Sequence, residues 1–187
     1  MKKVLLLAVL IISANAFCQK ITKNQIDKFT KKRIIETSFE QIVSEKNVLT
    51  LMNQGKGNGS IKKSFALSFE SVNDSVFLRL KWASDAVVAV ATDAKLILLN
   101  DKDETFTFKS ASYSIAGKGA GATGFYGSAQ YGLDLYFYGD VSKLQSQIIK
   151  SMRIYTTDGY IDLDINKDKT DLFSKLYALL KEESTKQ

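Results

Sequence analysis

The sequence predicts an α+β fold: a mainly antiparallel β-sheet of eight or nine strands, covered by a short helix and a C-terminal helix. Apolar and polar residues alternate with a period of two through most of the chain, which indicates half-buried strands. Turns rich in Gly, Asn and Asp separate these runs. The helical patterns come late and do not alternate with strands, which argues against a doubly wound parallel sheet. The sheet is expected to be bent, to form a sandwich or to close partly into a barrel.

The first 18 residues are expected to be an export signal. A basic start, Met1 to Lys3, precedes an apolar run from Val4 to Ile12 and a small-residue region that ends at Ala16. The apolar run is shorter than the ~20 residues that span a bilayer. Cleavage is expected after Ala16 or after Cys18. No transmembrane span is expected after the signal is removed, and the protein is predicted to be periplasmic or secreted.

Cys18 is the single cysteine of the chain. Bacterial lipoproteins carry their lipid on a cysteine that follows the signal, but the bulky Phe17 stands where a small residue is needed. A lipid anchor is therefore not expected. One cysteine also forms no internal disulfide, so stability must come from an ordinary core, which a chain of this length can bury.

Residues 19–187 are predicted to form one domain, because they contain no proline and no Gly/Ser-rich linker. The formal net charge falls from +6 to +4 when Lys2 and Lys3 leave with the signal. Positive charge is densest at Lys28, Lys31, Lys32 and Arg33. A solvated face accounts for this cluster more simply than an anionic partner does. Nucleic acid is not an expected partner of an exported domain.

Two hairpins can be written out residue by residue. Asp158-Gly159 suits a type I′ turn, which predicts that Ile154 faces Leu163 and that Arg153 faces Asp164. The same register predicts Met152 opposite Ile165, Thr156 opposite Ile161, Thr157 opposite Tyr160 and Tyr155 opposite Asp162.

The second hairpin turns at Asn73-Asp74. It predicts the pairs Phe69 with Leu78, Leu67 with Leu80 and Phe65 with Trp82, which places Trp82 in the core rather than in a glycan site.

The remaining elements follow from shorter patterns. Strands are predicted at Arg33–Phe39, Val87–Ala91, Leu96–Leu99, Phe106–Phe108 with a continuation through Tyr113 and Ile115, and Leu133–Tyr138. The pattern of Ile42–Met52 is ambiguous, and Val48–Leu51 is a candidate strand within it. The runs Val87–Ala91 and Leu96–Leu99 are expected to be buried on both faces, and residues 21–32 to be a polar lead-in.

Two helices are predicted near the C-terminus. Asp140 is expected to cap a short helix that carries Val141, Leu144 and Ile148 on one face. Asp168 is expected to cap the last helix, with Asp171 in its first turn. An apolar stripe of this helix is expected to cover the sheet, and residues 181–187 to fray; the stripe consists of Leu172, Phe173, Leu176, Tyr177 and Leu180.

The glycine-rich segment Gly117–Gly132 holds six of the eleven glycines. Gly119, Gly121 and Gly124 match G-x-G-x-x-G, but a strand rather than a helix follows, so no nucleotide cofactor is predicted. Loops of this length are often functional.

Phe125, Tyr126 and Tyr131 in this segment are therefore the predicted binding residues, and they would stack on sugar rings or clamp a peptide. The alternative is that the glycines serve turns or bulges while the aromatic rings cap the core, and the small residues favour it.

Metal and catalytic chemistry are limited by composition. Asp164–Thr170 resembles the start of a calcium loop, but Lys169 and Lys175 stand where glycine and a bidentate glutamate are required, so no metal is predicted. The absence of histidine excludes Ser-His-Asp and Cys-His sites and histidine zinc sites. Chemistry that uses carboxylates, lysine or tyrosine remains, but no spacing singles out a carboxylate pair, and no catalytic residue is predicted.

The sequence thus predicts a non-catalytic exported bacterial envelope domain with a binding or structural role. Its partner would be an envelope glycan or a protein, and it would need no cofactor. The alternatives are a carboxylate-dependent glycan hydrolase and a small barrel that binds an apolar ligand.

Overall fold

A computed structural model describes residues 19–44, 64–73, 75–84, 87–118 and 131–186. These residues contain β1 (Ile21–Ile26), β2 (Arg33–Thr37), β3 (Glu40–Ser44), β4 (Ser64–Val72), β5 (Ser75–Ser84), β6 (Ala89–Val90), β7 (Lys95–Asn100), β8 (Thr105–Ser110), β9 (Ser114–Ile115), β10 (Gly117–Lys118), β11 (Tyr131–Tyr138), β12 (Ile149–Thr156), β13 (Gly159–Asp164) and the helix α1 (Leu172–Thr185). Two 3₁₀ turns, Val141–Leu144 and Lys167–Lys169, flank the final hairpin.

Eleven of the strands form one antiparallel sheet. Nine of them follow the order β1-β2-β4-β5-β11-β8-β7-β12-β13, and the other two, β3 and β10, pair with β4 and β11. Two of its strands are long enough to pair with two short neighbours along one edge. β4 pairs with β2 near its end and with β3 near its start, and β11 pairs in the same way with β8 and β10. β6 and β9 form a separate ribbon.

The sheet is open, because β1 and β13 lie at its two ends and do not pair with each other among the described strands. The predicted α+β class is therefore confirmed, with more strands than expected. The closed barrel that an enclosed apolar ligand would need does not form.

Three rows of apolar side chains cross β4, β5 and β11 on one face of the sheet. Cross-strand register joins Phe65, Trp82 and Leu133 in one row, and parallel rows consist of Leu67–Leu80–Leu135 and Phe69–Leu78–Phe137. Each of these nine side chains is at most 2% exposed. They form the centre of the core, because neighbouring pairs on one face of a sheet pack directly against each other.

The same core continues under the other half of the sheet. Met152 and Ile154 of β12 and Leu96 and Leu98 of β7 belong to the same buried cluster. Helix α1 closes the core at the β2–β4 end, where Phe173, Leu176 and Leu180 are buried and the ring of Tyr177 lies 6.1 Å from that of Phe69. The predicted covering stripe of α1 is confirmed.

The β4–β5 hairpin has the predicted register. Phe69 pairs with Leu78, Leu67 with Leu80 and Phe65 with Trp82. Asn73 takes a left-handed φ of 53° at the turn, which asparagine tolerates better than most residues. Trp82 is fully buried, as expected.

The β12–β13 hairpin forms with a register two residues away from the predicted one. Thr156 pairs with Gly159, so Ile154 faces Ile161 and Arg153 faces Asp162. A type I′ turn needs positive φ at both central residues, and Gly159 has it whereas Asp158 does not. The hydroxyl of Thr156 instead accepts the N–H of Asp158. The predicted pairing was wrong, but a shift of two keeps every side chain on its expected face.

The last helix begins later than predicted. Asp168 lies in the second 3₁₀ turn, and the residue before α1 is Asp171. Asp171 makes an ion pair with Lys175, one turn on, at 2.5 Å rather than a side-chain cap. The helix continues to Thr185, so the expected fraying from residue 181 was wrong.

The predicted short helix exists only as the first 3₁₀ turn. Val141 and Leu144 are buried, but Ile148 is 45% exposed and lies beyond the turn. Asp140 accepts a hydrogen bond from the Ser142 hydroxyl instead of capping the backbone.

Other predictions differ in extent. Residues 21–26 form a strand rather than a lead-in, and Val48–Leu51 lies outside the described residues. Of Val87–Ala91, Ala89 and Val90 are paired, and Val87 is 53% exposed, so the expected burial of this run on both faces was wrong. Strand β8 stops at Ser110 before the β9 ribbon. In β7, Leu96 and Leu98 are buried while Ile97 and Leu99 are only partly buried, so burial on both faces was wrong.

Among the described residues, none of the helices has the length and apolar character needed to cross a membrane.

Replacing Leu80 by alanine should lower the free energy of unfolding by about 2–5 kcal/mol, because it leaves a cavity at the centre of the middle row. Urea denaturation measures the loss. Ile148→Ala, which shortens a 45% exposed side chain, is the control and should change stability far less. Equal effects of the two substitutions would show that the rows are not the core.

Candidate functional site

The predicted binding residues lie mostly outside the described structure. Phe125 and Tyr126 are outside it, and Tyr131 is described only through its backbone, which pairs with Lys118 of β10 and Ser84 of β5. The glycine-rich segment therefore connects two paired strands, β10 and β11. Its role in binding remains a prediction.

The calcium-like segment is split between two elements. Asp164 ends β13, and Asp168 lies in the 3₁₀ turn Lys167–Lys169. Neither carboxylate makes the interaction predicted for it. Arg153 pairs with Asp162 rather than with Asp164, and Asp168 does not cap α1. In the part of the chain that the structure describes, no three acidic, histidine or cysteine side chains are grouped to hold a metal ion.

An open groove of about 500 Å³ crosses the face of the sheet opposite the core, over β7, β12 and β13. Its floor is apolar because Ile97 and Leu99 alternate with the buried residues of β7 and so point outward. The lining consists of Ile97, Leu99, Thr105, Ser151, Met152, Arg153, Asp162, Leu163 and Asp164.

Strand register arranges the polar lining residues beside this floor. Leu99 lies opposite Thr105 on one side and Ser151 on the other, and Ser151 lies opposite Asp164. Two residues earlier in β7, Ile97 lies opposite Arg153 of β12. Two apolar side chains are thus bordered on both sides by hydrogen-bonding groups.

An ion pair forms one wall of the groove. The Arg153 guanidinium donates two hydrogen bonds of 2.6 Å to the Asp162 carboxylate and lies 4.1 Å from the centre of the Tyr160 ring. The hydrogen bonds from Arg153 lower the pKa of Asp162. The Tyr155 and Tyr160 rings are 5.9 Å apart, and Tyr160 is 57% exposed. This wall is charged but internally paired, and the Tyr160 ring lies next to Arg153 outside the residues that line the groove.

Three other groove residues leave their hydrogen-bonding capacity open. Within the described chain, the side chains of Thr105, Ser151 and Asp164 make no hydrogen bond or ion pair. They supply two hydroxyls and one carboxylate to anything that occupies the groove.

A second polar cluster lies on the same face, over β2, β4, β5 and β11. Arg79 donates to both oxygens of Asp134 at 2.8 and 2.6 Å and, through Nη1, to Glu36 at 2.7 Å and Glu70 at 3.3 Å. The Tyr136 hydroxyl donates to Glu70 at 3.4 Å. Because these residues come from four strands, the cluster ties those strands together.

Burial and neighbouring charges together shift the pKa values of this cluster. Burial raises the pKa of Glu70, and the attraction of Arg79 offsets only part of that effect. Burial also raises the pKa of Tyr136 to about 12. Burial alone would lower the pKa of Arg79, but hydrogen bonds and charge from Asp134 outweigh it and raise the pKa.

The two clusters differ in what they offer a ligand. The Arg79 side chain is 15% exposed and its donors are directed at carboxylates, whereas the groove has an apolar floor and unpaired polar groups. The groove is therefore the candidate site, and the cluster around Arg79 is a structural support.

Sequence patterns contained part of this information. Alternation in the β4–β5 hairpin places Glu70 and Arg79 outside the core, but pairing of β11 with β5, which brings Asp134 to Arg79, joins segments about fifty residues apart and has no local signal. The groove was missed because Leu96–Leu99 was expected to be buried on both faces.

Comparison of the chain with protein-family models, with curated proteins and with solved structures found no match.

Arg79→Met should destabilise the protein by about 2–4 kcal/mol at neutral pH, because it leaves three partly buried carboxylates without their shared cation. Urea denaturation measures the loss. The matched control is Arg153→Met, which also breaks a bidentate pair with an aspartate but at an exposed position, where ion pairs contribute little. If both variants unfold alike, burial of the Arg79 cluster is not what stabilises it.

Glu70→Gln should remove one component of the pH dependence of stability. The folded-state pKa of Glu70 is raised above its usual 4.5, so the stability that its protonated form contributes is complete below pH 4.5 and is lost as pH rises through the folded pKa. The wild type should therefore lose stability relative to Glu70→Gln between pH 4 and neutral pH, as measured by urea denaturation at a series of pH values. Glu182→Gln, at an exposed carboxylate of α1, controls for net charge, and a constant difference between wild type and Glu70→Gln contradicts the prediction.

Proposed function

We propose that this protein is an exported, non-catalytic binding domain that holds a glycan in the groove over β7, β12 and β13. The observation that carries the proposal is the combination of an apolar floor, Ile97 and Leu99, with unpaired polar side chains along its borders. A volume of about 500 Å³ lies within the range of small-ligand sites.

Sugars match this combination of surfaces. A pyranose ring has an apolar C–H face that would cover Ile97 and Leu99, and hydroxyls at its edge that would reach Ser151, Thr105 and Asp164. The exposed ring of Tyr160 would pack on a further sugar, because aromatic side chains supply large contact areas with few rotatable bonds. The Arg153–Asp162 pair keeps Tyr160 in place through its contact with the ring.

The groove is better suited to binding than to hydrolysis. Hydrolysis by two carboxyl groups needs one of them protonated as the general acid. Asp162 has its pKa lowered by Arg153 and both of its oxygens engaged, so it stays ionised and occupied. Asp162 therefore does not supply the protonated general acid that a catalytic pair in the groove would need.

The alternative, a carboxylate-dependent glycan hydrolase, is supported by the Arg79 cluster alone. Glu36 and Glu70 both accept a hydrogen bond from Nη1 of Arg79, so their accepting oxygens are at most about 6 Å apart. This is close to the separation of the carboxyl groups in retaining glycosidases. The pKa of Glu70 is raised, as a general acid requires. The guanidinium of Arg79 lies between the two carboxylates, however, where the substrate would have to enter.

The proposal is tested on a glycan array, followed by calorimetric titration of the glycans that bind. Asp164→Ala should weaken binding by about tenfold or more, because it removes a charged hydrogen-bond partner. Asp168→Ala removes an exposed aspartate outside the groove and should bind like the wild type. If no glycan binds the wild type, or if Asp164→Ala binds equally well, the groove is not a glycan site.

The same array distinguishes the groove from the glycine-rich segment. The described ends of that segment, at β10 and β11, lie roughly 30 Å along the strands from Thr105. A Phe125, Tyr126 and Tyr131 triple-alanine variant should keep its binding if the groove is the site. Loss of binding in this variant alone assigns the site to the segment instead. If the wild type cleaves a bound glycan and Glu70→Gln does not, the result supports the hydrolase.

A further inference from the structure

The hairpin tip that joins β1 and β2 presents two large apolar side chains to solvent. Phe29 is 82% exposed and Ile26 is 68% exposed, which are the highest values among the exposed large apolar side chains of the described residues. Such exposure costs solubility, and where apolar residues are grouped it marks a surface that meets another partner.

The tip is held in shape by hydrogen bonds. One carboxylate oxygen of Asp27 accepts the backbone N–H groups of Phe29 and Thr30, at 2.9 and 2.6 Å, and the Thr30 hydroxyl at 2.9 Å. The N–H of Lys31 donates to the carbonyl of Asp27, and Lys31 itself takes a left-handed φ of 59°. Phe29 is thus displayed by a defined turn.

The base of the hairpin is fixed to the rest of the molecule. Arg33 donates to the carbonyls of Glu183 and Ser184 near the end of α1, and the Asn24 amide donates to the Glu183 carboxylate at 2.7 Å. These contacts direct the Arg33 guanidinium toward the end of α1 rather than toward the tip, and they set the direction in which the tip projects.

The tip carries several positive charges. Lys28, Lys31 and Lys32 are exposed, and the ammonium of Lys28 lies 5.0 Å from the centre of the Phe29 ring. Asp27 is the one acidic residue of the tip, and the hydrogen bonds from Thr30 that lower its pKa also occupy it. The tip therefore combines an apolar apex with a cationic border.

We propose that this tip docks the protein on an anionic phospholipid surface. Phe29 and Ile26 would enter the boundary between headgroups and acyl chains, while the lysine ammonium groups would remain at the level of the phosphates. A bilayer fits better than a nucleic acid, because the second exposed apolar side chain of the tip, Ile26, is aliphatic, which suits hydrocarbon and not base stacking. The inference is independent of the groove and of its ligand.

Vesicle co-sedimentation tests the proposal on the full chain, with the same N-terminus in every variant. Phosphatidylcholine vesicles with and without one-third phosphatidylglycerol are compared. The wild type should bind the anionic vesicles and be released by high salt. Phe29→Ser should weaken binding by about tenfold or more, and a triple Lys28, Lys31 and Lys32→Gln variant should remove the preference for phosphatidylglycerol.

Two matched variants control for surface composition. Tyr113→Ser removes an aromatic ring that is 57% exposed elsewhere, and a triple Lys95, Lys102 and Lys109→Gln variant removes three exposed lysines far from the tip in sequence. Both should bind as the wild type does. Circular dichroism should give the same thermal midpoint for all of the variants, since each changes exposed side chains only.

Phe29→Trp provides a readout that belongs to the tip. Its emission should shift to shorter wavelength when anionic vesicles are added, while the signal of the buried Trp82, measured in the wild type, stays constant. An unchanged emission, or vesicle binding that does not depend on Phe29 and the three lysines, overturns the proposal. Equal binding of the tip to inorganic phosphate or to an RNA oligonucleotide would likewise overturn it in favour of a general anion site.

Discussion

The structure depends on the three apolar rows that cross β4, β5 and β11. Each row joins three strands through side chains that are almost completely buried, and α1 and the inner faces of β7 and β12 pack onto the same cluster. Burial of apolar surface is the main favourable term in folding. Because strands alternate, packing one face of the sheet into this core leaves the other face of the same strands to solvent. The outer face, with the groove at one end and the Arg79 cluster at the other, is therefore a direct consequence of the core.

The two halves of that outer face solve different physical problems. Around Arg79, three carboxylates are brought out of water, and one guanidinium with several donors compensates for their repulsion. In the groove, a single arginine and aspartate neutralise each other, and the neighbouring hydroxyls and the Asp164 carboxylate have no protein partner among the described residues. A cluster whose groups satisfy each other stabilises strands. A surface whose groups do not is available to a ligand.

The proposed lipid contact and the proposed glycan site use separate parts of the molecule. The hairpin tip belongs to β1 and β2 at one end of the sheet, and the groove lies over β7, β12 and β13 at the other. A domain held at an anionic surface through Phe29 would leave the groove free to bind. This arrangement agrees with the export signal expected from the first 18 residues.

The sequence by itself determined the local structure: the α+β class, the β4–β5 register, the burial of Trp82 and the apolar face of α1. These depend on side-chain period and on turns between adjacent segments, which act over a few residues. The β12–β13 register predicted from the sequence was wrong by two residues. The predicted type I′ turn needs positive φ at both Asp158 and Gly159, and only Gly159 has it. Only the tertiary structure decided that β11 pairs with β5, which brings Asp134 to Arg79, and that β12 pairs with β7, which places Leu99 beside Ser151. Such pairings join distant segments, and the total packing of the chain, not any local pattern, selects them.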